Sequence, residues 1–283
     1  MSSTARLRRL SQELERLRKE RELTLDDVAK ALDWSRGRVG NWENGKWTRP
    51  DIGNVTRLLD FYEVPPDEQE ALLSLARRTK EKDWWRAPAY RDLYGSSPPL
   101  PGFEAASSLI RQYASELVPG LFQTEDYARA VFVGGQVLDA ATIKRMVDLR
   151  RARQGVLERE NPPQMWAIID EAALLRLVGG PVVMAVQIRR LIELAAWPHI
   201  TIQVLPLSAG AHAGLTGGRF MIIDFAGDDD KPLVYLEEAS SSLFLESAED
   251  VRGYTLIFSR ITSSALGPEE SLAYLATLRD RLK

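Results

Sequence analysis

Ser35-Arg-Gly-Arg-Val-Gly-Asn-Trp-Glu-Asn-Gly-Lys46, entered from Leu23-Thr-Leu-Asp-Asp-Val-Ala-Lys-Ala-Leu32, is the stretch on which the reading of this chain turns. Thr24 offers an N-cap hydroxyl with Asp27 in capping-box position, and Leu25, Val28, Ala29 and Leu32 supply the buried face of a short helix. Ser35 caps the next helix, whose Val39 and Trp42 point inward and which Gly45 is placed to end. Asp33 stands after the first helix, and Asp tolerates left-handed backbone better than most residues. So few residues separate the two helices that they must cross steeply, as helix-turn-helix pairs do.

Outward from this pair the helical period continues on both sides. Leu7, Leu10, Leu14 and Leu17 place one apolar stripe on a preceding helix. Pro50-Asp51 opens a fourth with Ile52, Val55, Leu58, Leu59 and Tyr62 inward, and Pro65-Pro66 opens a fifth with Ala71, Leu72, Leu75 and Ala76. When the second helix of such a pair lies in the major groove, its early residues meet base edges. Here these are Ser35, Arg36, Arg38 and, one turn on, Asn41. Arg donates two parallel bonds to guanine and Asn pairs bidentately with adenine, so these four are the expected base readers. Thr24, Asn44, Lys46, Trp47, Thr48 and Arg49 are expected at phosphates, which add affinity and salt dependence without reading sequence. Trp34 and Trp42 read as core, and Glu43 as a helix-end ion-pair partner. Gly37 and Gly40 each weaken a helix by about 1 kcal/mol relative to Ala. Either backbone must come very close to DNA there, or packing on Val39 and Trp42 carries the helix regardless.

Over residues 7–65 these motifs, with Arg49-Pro50, resemble the Xre/Cro family of phage-repressor-like domains, and the Trp-Glu-Asn-Gly-Lys run is specific to it. The resemblance implies a sequence-specific DNA-binding transcriptional regulator, with repression the expected mode. One recognition helix covers only one half-site, so a homodimer on a pseudo-palindromic operator of double-stranded DNA is expected.

The expected organisation is an all-α helix-turn-helix domain over 1–80, a linker over 81–102, and a larger α+β domain over 103–283 with a small, mostly antiparallel sheet. The linker holds Trp84-Trp85, which must pack on one of the domains because that much aromatic area in water is a liability. A helix is expected from Phe103 through Ala106, Leu109, Ile110 and Tyr113 to Leu117, then a turn, then helices capped by Thr124 and carrying Ile143 to Leu157. Strands are expected at Met165–Ile169, Ile200–Leu205, Arg219–Phe225 and Leu233–Glu238. Helices are expected at Glu171–Val178, Val182–Ala196, Ala248–Ser264 and Pro268–Leu282.

Four ordered motifs lie in this second region: Val118-Pro-Gly-Leu-Phe-Gln-Thr-Glu-Asp-Tyr-Ala-Arg-Ala130, Arg150-Arg-Ala-Arg-Gln154, Ile169-Asp-Glu-Ala-Ala-Leu174 and Val204-Leu-Pro-Leu-Ser-Ala-Gly-Ala-His212. With them it resembles the uncharacterised C-terminal domain that follows a helix-turn-helix in many actinomycete regulators, some described as antitoxin-like or developmental. That resemblance implies a regulator, often encoded beside a small acidic protein that binds it; this domain is expected to supply dimerisation and the response to a small protein partner or ligand. The competing reading is an antitoxin-like interaction module that sequesters a partner, with DNA binding vestigial.

Composition narrows the classes. The 283 residues carry a net charge of −3, no cysteine and two histidines, His199 and His212. Disulfides and thiolate metal sites are excluded, and a metal or other cofactor is not expected. Residues 1–50 carry net +4 and the remainder −7, which gathers positive charge on the helix-turn-helix. Without a signal-like or membrane-spanning apolar run at the N-terminus, a cytoplasmic protein without membrane contact is expected. Asp170-Glu171 and His212 invite an enzymatic reading, but carboxylates opening a helix more often serve as caps. No phosphate-loop signature follows the glycines of 210–218, so the chain is expected not to be an enzyme.

Overall fold

The computed structural model of the chain describes residues 3–46, 50–79, 84–94, 99–135, 138–226, 230–237 and 242–282. They fall into two compact units, one drawn from residues 1–87 with 98–106, the other from 88–97 with 107–283.

The first unit is helical: α1 (Ser3–Glu20), α2 (Leu25–Leu32), α3 (Arg36–Glu43), α4 (Ile52–Phe61), α5 (Pro66–Arg78) and α6 (Leu100–Ala106). Caps set the boundaries. Ser35 accepts from Arg38 N, Asp51 accepts from Asn54 N, and Asp33 adopts the left-handed conformation at φ 56°, ψ 48°. The stripe residues Leu10, Leu14 and Leu17 of α1 meet Val28 and Leu32, Val39 and Trp42, Val55, Leu58 and Leu59, and Leu72 in one core. Trp85 is buried and meets Trp84 edge to face at 5.5 Å. α6 packs on α1, so this unit extends across the expected 102/103 boundary.

The second unit is built on one six-stranded sheet of order β3-β2-β1-β4-β5-β6. Its strands are β1 (Ser107–Ala114), β2 (Gln164–Asp170), β3 (Ile200–Leu205), β4 (Phe220–Phe225), β5 (Leu233–Glu237) and β6 (Ser242–Leu245). β1 pairs with β2 and β2 with β3 in parallel; β1–β4, β4–β5 and β5–β6 are antiparallel. The sheet is therefore mixed, a correction to the mostly antiparallel arrangement expected. The parallel half follows from the crossovers, since parallel neighbours need a long, usually helical return. α7 (Glu125–Gly135) and α8 (Ala140–Gln154) return β1 to β2, and α9 (Glu171–Leu175) and α10 (Pro181–Ala195) return β2 to β3.

A second correction concerns β1, where a helix was expected from 103 to 117. The backbone is helical only to Ala106 and then extends as the central strand. A central strand is buried on both faces, so its apolar residues do not alternate with polar ones. Tyr113 packs on one face with Ile168, Leu205, Phe220, Ile222, Val234 and Phe258, while its neighbours Ile110 and Ala114 are buried on the other. Arg111 of β1 bonds Asp224 of β4 at 2.9 Å.

α12 (Ala248–Ser264) covers the Tyr113 face through Phe258 and Ile261. α13 (Pro268–Arg281) packs on α10 and along β3, where Ser271 Oγ accepts from Val204 N at 2.9 Å and Leu266 N donates to Val204 O at 2.8 Å. The expected helix 171–178 is shorter, ending as Arg176 turns to extended backbone. A short helix, α11 (Gly214–Gly217), lies in the loop between β3 and β4.

Candidate nucleic-acid interface

The geometry of α3 is set by what anchors its inner side. Val39 and Trp42 are buried in the helical core. Glu43 at its end takes a bidentate pair from Arg18 of α1, Nε to Oε1 at 2.7 Å and Nη2 to Oε2 at 2.9 Å. The third nitrogen, Nη1, donates to Leu23 O at 2.6 Å, so one guanidinium ties α1, α3 and the approach to α2 together. These bonds raise the Arg18 pKa further. Tyr62, wholly buried in the same core, is pushed up by loss of water.

With Val39, Trp42 and Glu43 facing in, Arg36, Gly37 and Asn41 face out and are exposed. Arg36 keeps 69% of its side-chain exposure and sits 3.6 Å from an equally exposed Asp26, a pairing worth little in water and easily given up. Gly37 has nothing within 4 Å of where a Cβ would stand, and Gly40 meets only Leu25 Cδ1 at 3.7 Å. The protein itself therefore does not require a missing side chain at 37. Ser35 uses its hydroxyl as the α3 cap, accepting from Arg38 N at 3.2 Å.

Arg38 differs from its neighbours. Its guanidinium lies 4.3 Å from the Trp34 ring centre and 5.4 Å from that of Trp42, and the two indoles are 5.1 Å apart. Cation–π attraction of about 0.5–2 kcal/mol holds it on that pair. Arg57 of α4 approaches the same Trp34 ring at 6.0 Å and donates to Leu32 O at 3.1 Å. The structure thus leaves Arg36 and Asn41 exposed and holds Arg38 against Trp34 and Trp42.

Among the residues expected at phosphates, Thr24 also holds the cap position its sequence offers. Its hydroxyl and its N–H both donate to Asp27 Oδ2, at 2.6 and 2.8 Å, which leaves a carboxylate where an anion would have to approach. Those bonds hold the Asp27 carboxyl below its ordinary range. Asn44 turns its amide back onto Gly40 O at 2.7 Å, and Lys46 is exposed. Trp47, Thr48 and Arg49 lie outside the described residues. Glu43 holds the ion-pair role expected of it, and its partner Arg18, one of several arginines on α1, carried no distinguishing sequence signal.

Residues 9–72 match the family described as a helix-turn-helix domain, and residues 98–277 match a domain of unknown function, DUF5753. The second match spans well over half of the chain. The chain belongs to the DUF5753 family. No curated protein and no solved structure matches it.

In this DUF5753 member the four ordered motifs have visible structural work. Backbone groups of 118–124 are bonded by side chains from four places. Gln123 Nε2 donates to Val118 O at 2.8 Å, Gln154 Nε2 to Gln123 O at 2.6 Å, and Val118 N to Tyr127 Oη at 3.2 Å. Gln187 of α10, outside every motif, accepts from Thr124 N at 2.7 Å and donates to Phe122 O at 2.9 Å. Arg150 Nη1 donates to Gln123 Oε1 at 2.8 Å and would stand 2.7 Å from any Cβ at position 120, so a side chain there would displace the guanidinium.

The other two motifs meet at the carboxyl ends of the parallel strands. Asp170 caps α9 through Ala172 N at 2.9 Å and accepts from Tyr113 Oη at 3.1 Å; its Oδ2 lies 3.9 Å from His212 Nε2. His212 Nδ1 accepts from Gly214 N at 3.2 Å, and Gly214 must be glycine because a Cβ there would stand 2.6 Å from the Tyr113 ring. Glu171 accepts from Leu207 N at 2.7 Å and from Tyr274 Oη at 2.6 Å. Among the described residues no helix is long and apolar enough to cross a membrane.

Proposed function

We propose that this chain is a sequence-specific, Xre/Cro-type transcriptional repressor that lays α3 in the major groove. The single observation that carries the reading is the division of α3 into an anchored inner side, Val39, Trp42 and Glu43, and an exposed outer side bearing Arg36, Gly37 and Asn41. Arg36 and Asn41 read base edges; Arg38, held beside Trp34, supports the helix and contacts the adjoining backbone. Two copies bind a pseudo-palindrome with half-sites about one helical turn apart. The second unit serves dimerisation and the response to a partner protein or ligand, without a catalytic step of its own. What supports the last point is that Asp170 and Glu171 each accept bonds from this chain's own groups, a structural use of the carboxylates.

Selection of bound fragments from random duplex DNA tests the reading. A palindromic consensus is expected, and Arg36→Ala with Asn41→Ala should abolish preference for it while binding to unrelated duplex persists. Failure to enrich any sequence sinks the proposal in favour of an interaction module with vestigial DNA binding.

A further inference from the structure

The acids around α3 are not used alike. Asp27, in the first turn of α2, is held by Thr24 in the cap, and Glu43, at the far end of α3, is held by Arg18. Asp26, its neighbour in that first turn, serves neither purpose. Among the described residues no hydrogen bond engages its carboxylate, and Oδ1 lies 3.6 Å from Nε of Arg36, the first residue of α3. With both side chains 69% exposed the pair adds little to the fold, so stability does not account for a carboxylate at this place.

The atom that Asp26 approaches decides what it can do. Nε lies at the root of the guanidinium fork, and a carboxylate there leaves the edge formed by Nη1 and Nη2 open. That edge pairs with O6 and N7 of guanine, and among the described residues no hydrogen bond engages it. An arginine without such a partner has a stronger attractor close by, because a phosphate carries a full charge and a base edge only partial ones. Contact with a phosphate adds affinity but reads no sequence. Asp26 alters that balance. It repels phosphates, and an Arg36 that swung to one would leave the carboxylate alone beside a polyanion. Where DNA displaces water, the attraction between the two side chains grows.

We infer that Asp26 is a positioning residue for sequence reading: its carboxylate holds Arg36 end-on to a guanine and away from the phosphates, which lowers general affinity and raises discrimination. The inference rests on the proposed function, since it needs α3 in the groove.

Selection from random duplex DNA with the full chain tests it, using Asp26→Asn, Asp26→Glu, Arg36→Ala and the double variant D26N/R36A. Competition by unrelated duplex gives the ratio of specific to general binding. In D26N the half-site position that Arg36→Ala makes degenerate should lose its preference, and the ratio should fall about five-fold or more, the scale of one base contact. Binding to unrelated duplex should tighten. D26E keeps a charge within reach of Nε and should retain the preference. In the Arg36→Ala background, Asp26→Asn should leave the ratio within about two-fold, the scatter of independent sites. If D26N melts below the wild type, Asp26→Ser takes its place, Ser being equally at home near a helix start.

A preference that survives removal of the charge overturns the inference and leaves the operator reading standing. So does an equal fall with and without Arg36, which is a charge effect that bypasses it, or a D26E as impaired as D26N. A wild type that enriches no sequence overturns both, which is a separate result.

Discussion

The outer side of α3 and the carboxyl end of the parallel strands are both rich in polar side chains, yet they use them in opposite ways. At the strand ends Asp170, Glu171, Tyr113, Tyr274 and His212 bond one another or nearby backbone. On α3, among the described residues, Arg36 has only a loose contact to Asp26, and Gly37 leaves open space where a side chain would fit. A polar group bonded within its own fold contributes to stability and has little capacity left for a ligand. One left in water contributes little to stability and keeps its donors available. The two regions should therefore respond to mutation in opposite currencies, stability for one and affinity for the other.

The largest effect breaks the frame on which the outer face depends. Arg18→Ala leaves Glu43, 7% exposed, without its partner and should cost about 3–5 kcal/mol, the scale for an orphaned buried charge. Chemical denaturation should show that loss, with DNA binding falling in step; a variant as stable as wild type would remove Arg18 from the frame.

Next come the outer-face variants, where the signs should separate. Arg36→Ala and Asn41→Ala should each cost about 1–3 kcal/mol of discrimination for the selected sequence, measured by competition against mismatched duplexes. Their melting curves should superimpose on that of the wild type. Arg38→Ala sharpens the division of roles, since loss of its stacking on Trp34 should lower the melting temperature as well as general affinity.

Glu171→Ala is the counterpart at the strand ends. It removes the acceptor for Leu207 N and Tyr274 Oη and should cost about 1 kcal/mol for each bond lost, with DNA affinity unchanged. Weaker DNA binding at unchanged stability would erase the contrast.

Gly37→Ala has a smaller effect with two signs in one molecule. The free protein should gain up to about 1 kcal/mol, because Ala suits a helix and nothing stands in its way. If α3 lies in the groove with its backbone close to DNA, specific affinity should fall despite that gain; equal or tighter binding would mean that position 37 stays clear of the duplex.

The smallest effect is one of pH. Asp27 has a depressed pKa in the folded chain because Thr24 donates twice to its carboxylate. The stabilisation is therefore present above the ordinary carboxylate pKa, about 3.9, and is lost as pH falls through the lower folded value. The advantage of the wild type over Asp27→Asn in thermal melts should shrink from pH 7 toward pH 3; a constant difference would show that the cap does not titrate.

How far each region was legible in the sequence follows from how it buries its residues. Helices α1 to α5 show one apolar stripe each, and the caps at Thr24, Ser35 and Asp51 are local devices acting within a few residues. Boundaries and inner faces could be read there directly. β1 defeated the same reading because Ile110 and Tyr113 bury on opposite faces at a spacing that imitates a helix. With the central strand unseen, the first crossover and hence the parallel half of the sheet went unseen too. Gln187 and Tyr274 were equally invisible, since their partners stand 63 to 103 residues away.

By itself, then, the order of amino acids determined the short-range features: which helices form, where they stop, and which side of α3 carries Arg36 and Asn41. Capping, left-handed turns and amphipathic periods act between near neighbours. Only the assembled fold decided that Arg38 rests on two indoles, that β1 lies at the centre of a mixed sheet, and that Asp26 comes to lie beside Arg36. Those outcomes depend on which distant surfaces meet, and that is settled by packing the whole chain at once.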